Sequence, residues 1–261
     1  GHPGTLRQPI FHRRRSTDFK QIRPTKMADI DILYDDDLDG ITAAHAAWLW
    51  AVEEGMEANV AAIGHGDRDG SHEELLSENS STVVLLDWPS WEPERFFEVG
   101  REKDLIVIDH HETILNWAED PESRGVLVGE RTENGYSGMV RGEASEGEEG
   151  EFELVLDLER SAAPLTWEYF SDFEVPRLYE HVEDRDLWKW EMEGSEEILL
   201  GLRSQELTIN WIDHWAYRPG DLKEKGEVIR SYQEKLLSDH ESHVTIAETW
   251  IGEEGPFVTG H

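Results

Sequence analysis

The sequence predicts an α/β protein: a parallel sheet flanked by helices, followed by a helical segment and a linker helix that leads into an incomplete second lobe. Three observations carry this. Short apolar runs at 30–34, 59–63, 82–86 and 105–108 alternate with stretches whose apolar residues recur at helical spacing. The runs are apolar nearly throughout, as strands covered on both faces are. From Ser161 onward the pattern turns helical.

Ile30 to Tyr34 has the length of a strand. Ala43, Ala44, Ala47, Trp48, Ala51 and Val52 place a helix over Gly40 to Glu54. Asn59 to Ile63 reads as the second strand, and Thr82 to Leu86 as a buried strand ending at Asp87. Glu92 to Glu102, with Phe96, Phe97 and Val99, is the next helix. Leu105 to Ile108 is a further buried strand, ending at Asp109. Residues 127–150 are rich in Gly and Glu and contain Asn134-Gly135, which predicts a loop or exposed hairpin, an insertion. Glu153 to Leu158 returns as a strand. The helices expected beyond it are Ala162 to Phe170, Pro176 to Val182, Glu196 to Arg203 and Asp221 to His243. The last is long and amphipathic, with Val228, Ile229, Tyr232, Leu236 and Leu237, and Val244 to Ile251 after it reads as a strand. The expected division is a basic, disordered leader at 1–26, a main domain at 27–220, a linker helix at 221–243 and the start of a truncated second domain at 244–261.

Composition sets the surroundings more than the chemistry. Asp and Glu total 58 against 24 Lys and Arg, a formal charge of −34, and only seven of the basic residues are Lys. That is the surface of a salt-adapted protein, and it repels bare nucleic acid unless cations or local basic patches intervene. Apolar residues make up 38% of the chain and eleven are Trp, so a packed core is expected rather than an acidic disordered chain. The leader is the exception, with seven basic residues and the single acid Asp18. There is no cysteine, which excludes disulfides and thiolate metal sites. No apolar run has the length of a membrane span, and no apolar stretch follows Arg13-Arg14-Arg15. The expected location is the cytoplasm, with no membrane partner.

Carboxylates concentrate at strand ends. Asp35-Asp36-Asp37-Leu38-Asp39-Gly40 lies between a strand and a helix, Asp87 ends another strand, and Asp109-His110-His111 ends a third. Ligands of open parallel sheets sit outside such ends. Clustered carboxylates repel one another unless cations hold them, and oxygen donors with one or two imidazoles suit Mn²⁺ or Mg²⁺ better than Zn²⁺ or Fe²⁺. A calcium loop also reads D-x-D-x-D-G, but its twelfth position requires Glu and here is Ala46, and the run follows a strand rather than a helix.

These segments resemble the motifs of the DHH phosphoesterase family, of RecJ-like and oligoribonuclease-like type. The Asp35 to Gly40 run resembles the first motif, Asp87 after Val83-Val84-Leu85-Leu86 the second, and Asp109-His110-His111 the third, which names the family. Val182-Glu183-Asp184-Arg185-Asp186-Leu187-Trp188 resembles the fourth, and Leu158 to Ala163 ahead of a helix fits the same subgroup. The resemblance covers roughly residues 29–243. It implies two Mn²⁺ ions, with Mg²⁺ the alternative. Asp37 and Asp39 would each bind one metal with Asp35 assisting, Asp87 would bridge both, and His110 and Asp184 would complete the second site. Asp186 competes for Asp184's place because Asp-Arg-Asp leaves the register open. His111 would face the phosphate as donor or general acid, and Asp109 would orient imidazole. Two such cations about 4 Å apart activate a bridging water for attack on phosphorus.

Arg160, Arg185 and Arg203 are candidate phosphate holders, each with a structural ion pair as the rival reading. Ser161 either touches phosphate or caps its helix. His45 reads as a packing residue, and His65 and Asp67 either line the site or belong to a loop. Trp188, Trp190, Trp211 and Trp215 stack bases or pack in the core. The family usually carries a second domain with a glycine-rich, histidine-containing motif, and Thr259-Gly260-His261 only echoes it. The expected activity is hydrolysis of phosphate esters of short oligonucleotides or small nucleotides. Pyrophosphate or polyphosphate hydrolysis is the alternative, and a non-catalytic nucleotide- or metal-binding module is another. The sequence leaves monomer or oligomer open.

Overall fold

Ile30, Ile32 and Leu33 have no exposed surface, so β1 (Ile30–Asp35) is covered on both faces. The computed structural model describes residues 28–64, 72–87, 91–114, 126–144, 148–241, 249–250 and 256–257. The expected leader at 1–26, His65, Asp67 and Thr259-Gly260-His261 lie outside the described residues. The remaining elements of the main sheet are β2 (Ala58–Ile63), β3 (Thr82–Leu86), β4 (Asp104–Asp109), β5 (Val126–Arg131), β6 (Gly135–Glu143) and β7 (Glu149–Asp157). Together they form a seven-stranded sheet of order β2-β1-β3-β4-β7-β6-β5. The strands β2, β1, β3, β4 and β7 are parallel, while β6 runs antiparallel to both of its neighbours. The chain is therefore α/β with a mostly parallel sheet.

Strand alternation divides the apolar residues between two layers. On one side Ile30, Ile32, Val84 and Leu86 pack against α1 (Leu38–Glu53). Small side chains at Ala43, Ala44, Ala46 and Ala47 leave α1 buried nearly all round, because α3 (Ala162–Phe170), α4 (Arg177–Asp186) and α6 (Ile209–Trp215) cover its other flank. On the opposite side Leu33, Val83, Leu85 and Val107 meet Phe96, Phe97 and Val99 of α2 (Pro93–Glu102). The stretch 127–150, expected as a loop or exposed hairpin, holds an antiparallel hairpin of β5 and β6, with β5 largely exposed, and β6 joins it to the sheet through β7. Their glycines have a packing reason: at Gly142 a Cβ would stand 2.3 Å from the Phe97 ring, so the bare backbone makes room for that ring.

Beyond α3 the chain stays helical through α4, α5 (Ser195–Arg203), α6 and α7 (Lys223–Glu241). The α7 helix lies on α5, tied by Arg230 to Glu196 at 3.0 Å and to Glu197. The last pairing described is antiparallel, between β8 (Thr249–Trp250) and β9 (Pro256–Phe257). Among the described residues no helix is long and apolar enough to cross a membrane.

Candidate metal centre

The register brings three carboxylates to one level. Tyr34 of β1 pairs with Leu86 of β3, and Leu86 with Ile108 of β4. The next residue on each strand is Asp35, Asp87 or Asp109. Because β2 and β3 lie on opposite sides of β1, the ends of β1 and β3 flank the switch point where such sheets open a crevice.

Gly40 brings α1 onto that edge. A Cβ at this position would lie 2.1 Å from the Asp35 carbonyl oxygen, so the helix starts this close to the strand only with glycine there. Asp37 is the N-cap of α1, accepting a hydrogen bond from the Gly40 N–H at 2.9 Å. Asp39 is fully buried and reaches across to α3. Its Oδ1 accepts from the Ser161 hydroxyl at 2.6 Å and the Ala163 N–H at 3.1 Å, and its Oδ2 accepts from the Ala162 N–H at 2.7 Å. The carboxylate thus sits on the positive end of α3. An ionised carboxylate offers about four lone-pair sites, so about one is left, on Oδ2. That oxygen stands 3.9 Å from His110 Nε2.

His110 is the hub. Its Nε2 is also 3.2 Å from Asp87 Oδ1 and 3.3 Å from Asp186 Oδ2. His111 Nδ1 lies 2.7 Å from Asp109 Oδ1 and 3.7 Å from Asp87 Oδ1. Asp109 is buried, and the same Oδ1 accepts from the backbone N–H groups of His110 at 2.6 Å and His111 at 2.8 Å. Asp109 therefore shapes the His-His turn and orients one imidazole. Asp87 adopts φ 56°, the left-handed region that Asp tolerates better than most residues, while its N–H donates to the Ile108 carbonyl at 3.0 Å.

Burial and mutual repulsion raise Asp39, Asp87 and Asp186. Burial pushes Asp39 well above the ordinary carboxylate range, the charge of Asp186 adds to this, and the hydrogen bond from Ser161 opposes it. Asp87 is pushed up by burial and then by Asp39 and Asp109. Asp186 is raised by burial, an effect that His110 partly offsets. Burial and then the charge of His111 lower the pKa of His110. For His111, burial alone would lower the pKa, but the hydrogen bond to Asp109 and its charge leave it raised.

The chemistry of these groups fits a cation. Asp87 Oδ1 is buried and accepts no hydrogen bond among the described residues. Two groups of ligand atoms each lie within 4.8 Å of one another: Asp87 with His110 and His111, and Asp39 with His110 and Asp186. Carboxylate oxygen and imidazole nitrogen fit a divalent ion such as Mn²⁺.

The other expected site residues fall in different places. Asp184 is buried with its carboxylate turned to the next turn, accepting from the Glu191 N–H at 2.7 Å, the Met192 N–H at 3.2 Å and the Ser195 hydroxyl at 2.6 Å. The fourth motif's residue in the cluster is thus Asp186, and the expectation for Asp184 is corrected. Residues two apart on a helix point about 200° apart, so one alone can face the crevice. Asp186 continues the apolar stripe of Tyr179 and Val182, a signal legible in the sequence. Asp35 is buried at the end of β1, and neither it nor Asp37 belongs to the two ligand groups, although the charge of Asp37 reaches Asp39, Asp87 and Asp186.

Arg160 is committed to a bidentate pair with Glu168, at 3.0 and 3.1 Å, and to Glu183 at 2.9 Å. Ser161 is buried and committed to Asp39. Neither is placed to hold a phosphate, which corrects both substrate-binding expectations. Arg185 and Arg203 make no ion pair among the described residues. Burial and then the charge of Arg185 lower the pKa of Arg203, and Asp37 opposes them, so these three groups share one neighbourhood.

No protein-family model matches the chain. A protein named as the uncharacterized protein R106 of Acanthamoeba polyphaga mimivirus is 35% identical over 57 residues, a match spanning 22% of this chain and 14% of the viral protein. The chain is similar to it over that stretch, and the name assigns it no activity.

Proposed function

We propose that this protein is a divalent-metal-dependent phosphoesterase acting on short oligonucleotides or small nucleotides, with Mn²⁺ as its metal. One observation carries the reading: Asp39, Asp87, the pair His110-His111 and Asp186, from four separate segments, converge near the carboxyl ends of parallel strands in two groups that share His110, the ligand atoms of each lying within 4.8 Å of one another. The resemblance of the motifs at 35–40, 87, 109–111 and 182–188 to DHH phosphoesterases points the same way.

Asp87, His110, Asp39 and Asp186 would hold the ions. When bound, the ions would supply activation of water and neutralisation of charge on phosphoryl oxygens. His111 is held by Asp109, which favours its protonated form, so its imidazolium donates a hydrogen bond to a phosphoryl oxygen or a proton to the leaving oxygen. Arg185, beside Asp186 and without an ion pair among the described residues, holds the phosphate by charge-assisted hydrogen bonds. Burial of Asp39, Asp87 and Asp109 excludes competing water from the floor of the crevice.

The test is phosphate or nucleotide release from a short oligoribonucleotide, pyrophosphate and adenosine 3′,5′-bisphosphate, with and without Mn²⁺ in high salt, for the native chain and Asp87→Asn. Turnover that requires Mn²⁺ and falls at least about a hundredfold in the variant is expected. The metal-free variant should melt higher than the metal-free native chain, because removing this raised carboxylate relieves repulsion. Full metal-dependent activity in Asp87→Asn, or no turnover of any substrate, would overturn the reading.

A further inference from the structure

The fourth motif carries a feature the metal centre does not use. Trp188 is 78% exposed and Trp190 is 42% exposed, and Trp188 is the most exposed large apolar residue among the described ones. Both stand in the left-handed region, at φ 53° and 52°, where bulky side chains are outliers. Their rings meet edge to face, 5.9 Å apart at 78°, and form an open corner.

Asp184 holds this corner in place. Its carbonyl oxygen accepts from the Lys189 N–H at 2.9 Å and the Trp190 N–H at 3.2 Å, and its carboxylate accepts from the N–H groups of Glu191 and Met192. The Trp188 N–H donates to the Arg185 carbonyl at 2.9 Å. Lys189, between the two rings, reaches the Glu159 carbonyl at 3.2 Å. The turn is therefore built and fastened on both sides, while its two large rings are left in solvent.

Its position supplies the reason. Trp188 is two residues from Asp186, so their Cα atoms are at most about 7 Å apart. Arg185 precedes Asp186 and, like Arg203, makes no ion pair among the described residues.

We propose that the Trp188–Trp190 turn is a stacking platform for a nucleobase, so that the ester handled at the neighbouring centre is a nucleotide rather than an inorganic phosphate. The substrate assignment rests on the phosphoesterase reading; the platform does not. An adjacent arginine that makes no ion pair among the described residues, beside exposed indole faces, matches a ligand with a phosphate at one end and a planar aromatic ring at the other. Pyrophosphate has nothing to offer the rings.

The experiment is calorimetric titration of the full chain with adenosine 5′-monophosphate and with ribose 5-phosphate, which keeps the sugar and phosphate but lacks the base. The native chain should bind the nucleotide about tenfold more tightly. Trp188→Gly and Trp190→Gly keep the backbone geometry while removing a ring. Each should bring the nucleotide close to ribose 5-phosphate without weakening ribose 5-phosphate itself. Trp188→Phe should restore most of the difference, and unchanged thermal midpoints exclude misfolding as the cause. Equal affinities in the native chain, a difference that survives both glycine variants, or no binding of either ligand would overturn the platform. Base-dependent binding without Mn²⁺-dependent hydrolysis of any nucleotide would sink the phosphoesterase reading and leave the platform standing. Hydrolysis indifferent to the base would do the reverse.

Discussion

At Gly40, one missing methyl group sets the distance between a strand end and a helix start. A Cβ would stand 2.1 Å from the Asp35 carbonyl oxygen, so Gly40→Ala must displace either β1 or α1, and α1 carries Asp37 and Asp39. The variant is expected to lose about 1–3 kcal/mol in chemical denaturation, and with it the proposed Mn²⁺-dependent turnover. His45 makes a second residue-scale case. Its Nδ1 lies 2.6 Å from the Tyr179 hydroxyl, and its Nε2 is 3.5 Å from Asp213. Burial lowers its pKa, and Asp213 only partly opposes this. As the pH falls, the unfolded chain therefore takes the proton before the folded one does. The stability tied to His45 is full above the unfolded value of about 6.5 and is lost below it, by at most about 1.4 kcal/mol per pH unit. His45→Gln should flatten the fall in thermal midpoint between about pH 7 and pH 5 relative to the native chain. An identical fall in both proteins would show that this imidazole is not the titrating group.

Elements decide which residues of a motif can act together. In the fourth motif, helix α4 sends Asp184 and Asp186 to different sides: one organises the turn at 187–192, and the other joins His110. Asp184→Asn replaces a charged acceptor of two backbone N–H groups and the Ser195 hydroxyl by a weaker one. It should cost about 1–3 kcal/mol, and raise amide exchange at Glu191 and Met192 while metal affinity stays close to native. Asp186→Asn should do the opposite, sparing the turn and weakening metal binding. The two variants side by side separate the roles by hydrogen exchange and metal titration. The sheet works in the same way: pairing of Tyr34 with Leu86 and of Leu86 with Ile108 puts the succeeding aspartates at one level, although they come from three different strands.

For the whole molecule the dominant fact is charge. With a formal −34 over 261 residues, self-repulsion opposes the folded state. The Debye length falls from about 10 Å at 0.1 M salt to about 3 Å at 1 M, which screens most surface pairs. The thermal midpoint should therefore rise steadily with KCl over that range. Mn²⁺ should add a further, saturable rise at fixed salt, because binding only to the folded state stabilises it by about 2.7 kcal/mol at a hundredfold excess over Kd. Asp87→Asn should keep the salt response and lose the saturable one. A midpoint indifferent to Mn²⁺ in the native chain would count against the metal centre.

Much of this was legible along the chain, and the reasons are local. Apolar runs ending in Asp87 and Asp109, and the turn from Asp35 to Gly40, mark strand ends because hydrophobic runs and helix starts are short-range patterns. From those ends follow the α/β class and the neighbourhood of Asp39, Asp87, His110 and His111. What the chain order left open are choices made by contacts between residues far apart in it. Ser161 turns its hydroxyl to Asp39, 122 positions away, so it is spent on a carboxylate. Arg160 is spent on Glu168 and Glu183, and the Gly- and Glu-rich hairpin joins the sheet through β7, where Gly142 and Gly150 leave room for Phe97. Trp188 and Trp190 stay in solvent because Asp184 and Arg185 fix the turn beneath them. A side chain's partner is set by where the packed helices and strands bring other polar groups, and only the tertiary structure brings them there.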